Sequence, residues 1–356
     1  MRKYLTKIIC ITLLAAMLLP ILCSCTKTYE KEKTLFTEGL VSVKIDGKWG
    51  YANKDGRLVI KAQYDNASAF SCGLACVGIG EKYGYINPKG EVVIDLQFDG
   101  AANFFEDRAR VWVNEKYRYI DKNGNYITDD EYVFGADFSN GRACVVVGEK
   151  YGYIDRSGKM VIEPIYAKAS EFSEGLAGVQ DESGKCGFIN KDGKVKLNFI
   201  YDEVGSFVDG MARVTFDGTL AYIDKDGGFV LIRRDTKADD FHDGLARIVD
   251  DKELFGYMNI SGGIAIDCKY SYAGAFSNGL ALVYNSDKKV GYIDKKGKYV
   301  IEPKYELFYS SSGAGFDFTD DGYAVVIGNS KFGIIDKEGN AVFPCQYDGI
   351  NGFSGY

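Results

Sequence analysis

The side chains of this sequence that could act as general acids or bases are one histidine, His242, and 50 aspartates and glutamates. A pair of carboxylates can cleave a glycosidic bond, and a histidine can transfer protons near neutral pH. His242 stands in the segment FHDGLARI, at a position that Ser71 and Ser173 occupy in two similar segments, which favours a solvent-facing residue. The sequence contains no metalloprotease, nucleophile-elbow or phosphate-loop motif, and nothing selects one pair of carboxylates. We therefore assign no catalytic residue and no cofactor.

Cysteines near the amino terminus suggest a different chemistry, the attachment of lipid. Three basic residues within the first seven precede an uncharged apolar run at residues 8–22, which suits the core of a signal peptide. The run leads into LCSC, residues 22–25, which resembles the lipobox of bacterial lipoprotein signal peptides, although Cys23 stands where a small or β-branched residue is usual. The resemblance implies cleavage after Ser24 and a lipid on Cys25. An ordinary signal peptide or an uncleaved anchor is the alternative.

On this interpretation, residues 1–24 are a lipoprotein signal peptide, and residues 25–35 are the lipidated cysteine and a polar tether. Fully extended, the tether would reach about 33 Å. A multiply acylated Cys25 would hold the protein to a membrane stably, because each buried CH2 contributes about 0.8 kcal/mol. We predict an exported protein that is anchored at the cell membrane and faces outside the cytoplasm.

The composition indicates a folded body behind this anchor. Removal of the three basic residues at positions 2, 3 and 7 changes the net charge from −7 to −10. An acidic surface argues against nucleic acid and against anionic lipid as partners, because both favour Lys and Arg. The 26 Tyr, 22 Phe and 43 Gly predict many short strands joined by tight turns.

Two motifs recur with a period of about 34 residues. The nine copies of the first are KWGYANKDG (48–56), KYGYINPKG (82–90), KYRYIDKNG (116–124), KYGYIDRSG (150–158), KCGFINKDG (185–193), TLAYIDKDG (219–227), LFGYMNISG (254–262), KVGYIDKKG (289–297) and KFGIIDKEG (331–339). The second motif is seen in FTEGLVSV (36–43), FSCGLACV (70–77), FSNGRACV (138–145), FSEGLAGV (172–179), FVDGMARV (207–214), FHDGLARI (241–248) and FSNGLALV (276–283). The final glycine of the first motif advances by 34 or 35 residues, with one step of 42. The sequence therefore predicts nine tandem repeats.

These motifs resemble the WG-repeat family of bacterial proteins, and the resemblance covers residues 36–356. Only the first copy keeps the literal pair Trp49-Gly50, and Arg118 and Ala221 replace the glycine in two later copies. Because neither replacement favours a positive φ, we predict that this glycine serves close packing. The family implies a repeat architecture and frequent export to the cell surface. It implies no reaction and no catalytic residues.

Each repeat is predicted to form three or four short antiparallel strands. In the first repeat, residues 39–45 alternate between apolar and polar, and Asp46-Gly47 is a strong hairpin signal. A second turn opens with Asn or Asp, whose side chain can accept hydrogen bonds from nearby backbone amides, and closes with a glycine at positive φ. The turn residues assigned in this way are Asn53, Gly56, Asn87, Gly90, Asp155, Gly158, Asp294 and Gly297. A metal role for these carboxylates is the alternative; residues 224–228 faintly resemble a calcium loop but lack its third acid and distant Glu. No metal ligand is assigned.

The repeats must stack, because no single repeat can bury its own apolar face. The first copy starts with FTEG at residues 36–39, and the chain ends with FSGY at residues 353–356, the opening of a tenth copy. Ends that overlap in this way would pair and remove exposed strand edges. We therefore predict an all-β, propeller-like closed array of nine antiparallel repeats. An open β-superhelix is the alternative.

Two further features concern single repeats. Six cysteines lie beyond the export segment. Cys76 and Cys144 occupy the same position two repeats apart, and Cys72 and Cys76 are four residues apart in an extended strand, so neither pair is within disulfide reach, and we expect mostly reduced, buried or half-buried thiols. They are Cys72, Cys76, Cys144, Cys186, Cys268 and Cys345. The longest insertion carries SSSGAG at residues 310–315, which forms either an inert linker or a binding loop.

A long repeated surface, many aromatic rings and the absence of a reaction centre favour a membrane-tethered binding scaffold. The predicted partners are the membrane, through the lipid on Cys25, and a protein, peptide or glycan ligand. Two alternatives remain: a glycan-acting enzyme that uses carboxylates not yet identified, and a structural spacer.

Overall fold

The computed structural model describes residues 34–231, 237–306 and 317–351. These residues form 33 strands in nine antiparallel sheets, and no helix among them is long and apolar enough to cross a membrane. The strands of the first four sheets are β1 (Leu40–Ile45), β2 (Lys48–Asn53) and β3 (Leu58–Tyr64); β4 (Asn66–Ala67), β5 (Ala75–Ile79), β6 (Lys82–Ile86) and β7 (Val92–Phe98); β8 (Gly100–Phe105), β9 (Arg108–Val113) and β10 (Lys116–Ile120); and β11 (Phe134–Gly135), β12 (Arg142–Val147), β13 (Lys150–Asp155) and β14 (Met160–Tyr166).

The next three sheets contain β15 (Lys168–Ala169), β16 (Leu176–Gln180), β17 (Cys186–Asn190) and β18 (Val195–Tyr201); β19 (Glu203–Val208), β20 (Met211–Phe216), β21 (Thr219–Asp224) and β22 (Phe229–Leu231); and β23 (Lys237–His242), β24 (Leu245–Val249), β25 (Phe255–Asn259) and β26 (Ile264–Tyr270). The last two contain β27 (Leu280–Tyr284), β28 (Val290–Asp294) and β29 (Tyr299–Tyr305); and β30 (Tyr323–Gly328), β31 (Lys331–Asp336) and β32 (Ala341–Tyr347). The final strand, β33 (Gly349–Asn351), returns to the first sheet.

A complete sheet has four strands, A to D, which lie side by side in chain order, as in β4-β5-β6-β7. In such an antiparallel sheet the A/B and C/D turns lie at one end and the B/C turn lies at the other. We call the end of the molecule with the A/B and C/D turns the AB face, and the opposite end the BC face. A single residue joins a D strand to the next A strand, as Asp65 joins β3 to β4. Successive sheets therefore follow one another as blades of a propeller.

The two ends of the chain meet in the first blade. β1 pairs with β2 on one side and with β33 on the other, in the register Ser42↔Asn351, Val43↔Ile350 and Lys44↔Gly349. The hydroxyl of Ser42, which is fully buried, donates to the backbone oxygen of Asn351. This pairing closes the ring, so the predicted closed array of nine blades is confirmed, and the chain does not form the open superhelix. In the closed ring, each described sheet packs between two neighbouring sheets.

Adjacent blades pack through a tyrosine of the C strand and the phenylalanine of the next A/B turn. The rings of Tyr51 and Phe70 are fully buried, and their centroids lie 4.8 Å apart. The Tyr51 hydroxyl also donates to the backbone oxygen of Ser68, at 2.8 Å. The same contact recurs in Tyr85–Phe104, Tyr119–Phe138, Tyr153–Phe172, Phe188–Phe207, Tyr222–Phe241, Tyr257–Phe276 and Tyr292–Phe318. Each such pair contributes about 0.5–1.5 kcal/mol beyond the area it buries.

The glycine of the aromatic-glycine motif lies against the backbone of the D strand. A Cβ atom at Gly50 would lie 2.5 Å from the oxygen of Ile60, and this glycine does not have a positive φ. In the seven blades that keep the glycine, the pairing of the C and D strands is interrupted by a bulge. Ala221 lies in a blade whose C and D strands pair in unbroken register, and Arg118 lies in one that lacks a regular D strand. The predicted role of this glycine in close packing is confirmed.

On the BC face, an aspartate that joins the D strand of one blade to the A strand of the next forms hydrogen bonds with both blades. Asp65 accepts hydrogen bonds from the ammonium of Lys48 in its own blade and from the backbone N–H of Gly80 in the next B/C turn. Asp99, Asp202 and Asp348 form equivalent contacts. The hydrogen bond from the lysine lowers the pKa of all four carboxyl groups. This repeated contact was not predicted from the sequence.

The six cysteines of the described residues are free thiols, as expected. Burial raises the pKa of Cys76 and that of Cys144 to about 12, so both thiols stay protonated at neutral pH. Protonated, buried thiols are poor nucleophiles and act as small core side chains.

Candidate functional site

The A/B turns of successive blades form a circle of contacts on the AB face. Eight of the nine are two-residue hairpin turns in which both central residues have a positive φ, as in Asn140 (55°) and Gly141 (81°); in the ninth turn only Gly322 has a positive φ. Such type I′ turns favour Asn, Asp and Gly. The sequence places Glu, Asp or Asn first and Gly second in most of these turns, so the second motif of each repeat encodes the turn directly.

In five of these turns, the first residue also accepts a hydrogen bond from the turn of the next blade. Asn140 Oδ1 accepts from the backbone N–H of Gly175 at 3.1 Å, and both carboxylate oxygens of Glu174 accept from Gly210 at 3.1 Å. The equivalent bonds join Glu106 to Gly141, Asp209 to Gly244 and Asp243 to Gly279. Near the chain ends, the Asp321 carboxylate accepts from the N–H groups of Leu35 and Phe36, both at 3.0 Å. An acceptor side chain at this position therefore fixes the circle of turns.

A cavity of about 400 Å³ lies within this circle, and the fourth to ninth blades line it. Its wall contains the turn residues and the residues that precede each turn phenylalanine. The carboxylates among the lining residues are Glu171, Glu174, Asp209, Asp243, Asp317 and Asp320, and no lysine or arginine is among them. We call this space the axial cavity. Because carboxylates are the charged groups of its wall, the axial cavity suits a cationic ligand group better than an anionic one.

The single histidine also lines the axial cavity. His242 occupies the turn position of Ser173, whose hydroxyl donates to the backbone oxygen of Phe207 at 2.7 Å. It is half-buried rather than fully solvent-facing. Burial raises the pKa of the neighbouring Asp240, while the charges of Arg213 and His242 act in the opposite direction. The histidine therefore adds a titratable group to the cavity wall.

Basic residues lie outside the axial cavity, on the C/D turns of the same face. Lys225 forms an ion pair with Glu174 at 2.9 Å, and Lys122 forms one with Asp107 at 3.4 Å. The second residue of the C/D turn is basic in seven of the nine repeats, namely Lys54, Lys122, Arg156, Lys191, Lys225, Lys295 and Lys337. The AB face thus has an acidic centre within a ring of basic turns.

The turn residues assigned from the sequence lie on this face, in the C/D turns. Asn53 Oδ1 accepts from the N–H groups of Asp55 and Arg57 at 3.1 and 3.0 Å. Asn87, Asp155 and Asp294 accept from the amides two and four residues on in the same manner. The φ angles of Gly56, Gly90, Gly158 and Gly297 are 76°, 84°, 84° and 75°. These side chains serve the turns and lie outside the axial cavity.

The resemblance of residues 224–228 to a calcium loop has a structural explanation. Asp224 Oδ1 accepts from the backbone N–H groups of Asp226 and Gly228 at 2.9 and 2.7 Å, as in the other C/D turns. Within the described ranges, no group of three or more His, Cys, Asp or Glu side chains is arranged to hold a metal ion. The carboxylates of the axial cavity were not singled out from the sequence, although three of them, Glu174, Asp209 and Asp243, are the acid that precedes the glycine of the second motif.

Three sequence predictions concern residues outside the described part of the chain. The lipid site at Cys25 and the cleavage site at Ser24 precede residue 34, and the insertion at residues 310–315 lies between residues 306 and 317. The described chain begins at Thr34, beside the first A/B turn on the AB face.

The chain is similar to several solved structures, and the first of the three that follow supports the fold assignment. The crystal structure described as the eukaryotic initiation factor aligns with a TM-score of 0.62 at 10% identity, over 88% of this chain and 96% of that one. BamB from Moraxella catarrhalis aligns with a TM-score of 0.41 at 14% identity, over 84% and 94% of the two chains. The C-terminal WD40 domain of Sif2 aligns with a TM-score of 0.40 at 9% identity, over 75% and 97%. At these identities, the similarity to the first structure concerns the fold alone.

No curated protein sequence matches the chain significantly. The profile of the family described as "WG containing repeat" matches eight segments: residues 49–83, 83–117, 117–151, 151–186, 187–219, 255–288, 291–331 and 332–355. Together these segments cover well over half of the chain, and most of them run from the C strand of one blade to the C strand of the next. The chain belongs to the WG containing repeat family.

Proposed function

We propose that this protein is a lipid-anchored binding scaffold outside the cytoplasm, and that the axial cavity binds a cationic group of a protein or peptide ligand. The observation that supports this most is the composition of the cavity wall, which combines six carboxylates with no lysine or arginine. Carboxylates that line a concave, partly enclosed space attract a Lys or Arg side chain more strongly than the same charges on a flat surface, because less solvent screens them.

The rigidity of the cavity wall also favours binding. Glu174, Asp209 and Asp243 are held by backbone N–H groups of the neighbouring blade, so their carboxylates are oriented before a ligand arrives. Pre-organised groups lose little conformational entropy when a ligand binds. The same positions serve the contact between blades along the ring, which favours a scaffold over an enzyme with one specialised blade.

The membrane anchor is the second part of the proposal. Cys25 lies nine residues before Thr34, where the described chain begins on the AB face. The N–H groups of Leu35 and Phe36 are fixed to Asp321, so the tether would leave the propeller from a defined point. A tether of this length reaches about 30 Å, which leaves room for a peptide to enter the axial cavity.

A binding titration tests the proposal. The probe is a hexalysine peptide, measured by isothermal titration calorimetry at low and at physiological salt. We expect binding that weakens with salt, and a loss of roughly ten-fold or more in the variant Glu171→Gln/Asp320→Asn, because two charge pairs are removed. The control Glu81→Gln/Asp251→Asn removes two exposed carboxylates from B/C turns and should bind as the wild type does. Equal losses in both variants would show non-specific attraction and refute the cavity as the site.

A further inference from the structure

The junction between the third and fourth blades departs from the repeat pattern. At the first junction, Tyr64 is followed by Asp65 and Asn66, and Asp65 connects the two blades. At this junction, the equivalent residues after the tyrosine are Val133 and Phe134. Their side chains are 58% and 41% exposed. Two large apolar residues thus stand on the surface at a junction where four other repeats place Asp65, Asp99, Asp202 and Asp348.

Half-buried aromatic rings extend this apolar surface. The ring centroids of Trp112 and Tyr117 lie 4.6 Å apart, those of Tyr117 and Phe134 lie 6.0 Å apart, and those of Phe134 and Tyr151 lie 6.4 Å apart. The rings therefore form a continuous row from the third blade to the fourth. We call Trp112, Tyr117, Val133, Phe134 and Tyr151 the aromatic patch. A contiguous exposed apolar surface of this kind marks an interaction site.

Acidic residues surround the aromatic patch. Glu115 and Glu149 are exposed on the B/C turns of the two blades, and residues 129–131 (Asp-Asp-Glu) are exposed just before Tyr132. The nearby basic residues are Arg110, Lys116 and Lys150. Arg110 lies 5.4 Å from the ring centroid of Tyr117 and is paired with Asp137 at 3.2 Å, and Lys150 is paired with Glu182 at 2.8 Å. Negative charge therefore exceeds positive charge around the patch. A partner with complementary charge must carry Lys or Arg.

We propose that the aromatic patch is a second binding surface, which takes a partner protein segment that combines a large apolar side chain with flanking Lys or Arg residues. An apolar side chain covers Val133 and Phe134, and basic residues meet the surrounding carboxylates and the faces of the rings. A second copy of this chain is a poor occupant, because two acidic patches repel each other. The patch lies on the BC face, opposite the point where the described chain begins at Thr34.

The chain offers a variant that removes the patch and keeps the fold. Val133→Asp/Phe134→Asn installs the residues of the first junction, Asp65 and Asn66, and is therefore compatible with the blade. The matched control is Ile165→Asn, which removes an apolar side chain that is 59% exposed on the outer strand of the fourth blade. Circular dichroism and thermal melting establish that both variants are folded.

Three nine-residue peptides serve as probes, in which phenylalanine alternates with arginine, phenylalanine with glutamate, and serine with arginine. We expect the Phe/Arg peptide to bind more tightly than the other two, by roughly ten-fold or more, because it supplies both the large apolar side chain and the positive charge. The double variant should lose this difference, while Ile165→Asn and the axial variant Glu171→Gln/Asp320→Asn should keep it. Binding is measured by fluorescence anisotropy.

Several results would overturn the proposal. Equal affinity of the Phe/Arg and Ser/Arg peptides, or unchanged binding in the double variant, would show that the patch contributes nothing. A loss confined to the axial variant would assign the peptide to the axial cavity, which would support the proposed function and refute the second surface. Binding of chitotetraose, or a dimer in sedimentation experiments, abolished by the double variant would identify a glycan or a second copy as the occupant instead.

Discussion

The ring of Tyr153 packs against that of Phe172 in the next blade with a centroid distance of 4.9 Å, and its hydroxyl donates to the backbone oxygen of Ser170 at 2.7 Å. The tyrosine is fully buried, and burial raises its pKa well above the usual value, so the phenol stays protonated as a donor. One side chain thus supplies both the apolar contact and the polar contact between blades.

Tyr153→Phe should destabilise the protein by about 1–3 kcal/mol, because it leaves the buried oxygen of Ser170 without this donor. The measurement is the free energy of unfolding from urea denaturation. The control Tyr126→Phe removes a hydroxyl from a ring that is 40% exposed, and it should change stability by less than about 0.5 kcal/mol. Equal effects would mean that the hydroxyl of Tyr153 has no role between blades.

Gly152→Ala should cost about 1–3 kcal/mol, because its Cβ would lie 2.7 Å from the oxygen of Ile162 and 2.9 Å from the nitrogen of Pro164. The reverse change at the equivalent position, Ala221→Gly, should cost only about 0.5–1 kcal/mol, through backbone entropy. The measurement is the free energy of unfolding of both variants, obtained from urea denaturation. A neutral Gly152→Ala would refute the close contact between this glycine and the bulged D strand.

The repeat, the strand pattern and the turn residues could be predicted from the sequence, because hairpins and Asn or Asp turns depend on neighbours within a few positions. It also indicated the ring, through the overlap of the first and last copies. The contact between Tyr51 and Phe70 escaped prediction because it joins two blades, and its geometry depends on how the blades stack.

The candidate site could not be predicted from the sequence either, because it also depends on how the blades stack. Glu174 and Asp243 lie 69 residues apart in the chain and line one cavity only because the ring is closed. Likewise, the contacts of Asp65 could not be predicted, because its partners Lys48 and Gly80 come from two different blades. Periodicity predicts which positions are equivalent, whereas charge at the axis depends on the three-dimensional arrangement.

Stability should fall in acid through the carboxylates between blades. The hydrogen bond from Lys82 lowers the pKa of Asp99 in the folded protein. A group with a lowered pKa stabilises the fold above its unfolded pKa of about 3.9, and this contribution is lost as the pH falls through the folded value. The melting temperature should therefore drop as the pH is lowered from 5 to below about 3.9.

The variant Asp99→Asn isolates this effect, because the amide keeps an acceptor oxygen but cannot titrate. Its melting temperature should be lower than that of the wild type at pH 7, and the difference should shrink in acid. The control Asp251→Asn changes an exposed carboxylate of a B/C turn and should follow the wild type at every pH. A constant difference for Asp99→Asn across the pH range would contradict the assignment.

Cys25→Ser should release the protein from membranes or block its processing, because the lipobox interpretation makes this thiol the site of lipid attachment. Metabolic labelling with a fatty acid and membrane fractionation measure the effect, with Cys10→Ser as the control within the apolar run. Label that still joins the Cys25→Ser protein, or a wild type that never takes label, would refute the proposed anchor.

The central claim is that the closed ring presents a cationic-ligand site at its axis. The most direct test is photo-crosslinking of a hexalysine peptide that carries a diazirine, followed by mass spectrometry of the attachment sites. The account predicts attachment at the A/B turns of the fourth to ninth blades, at residues 139–140, 171–174, 206–209, 242–243, 275–277, 317 and 320. Attachment concentrated on the B/C turns of the opposite face, or spread evenly over acidic residues, would contradict it.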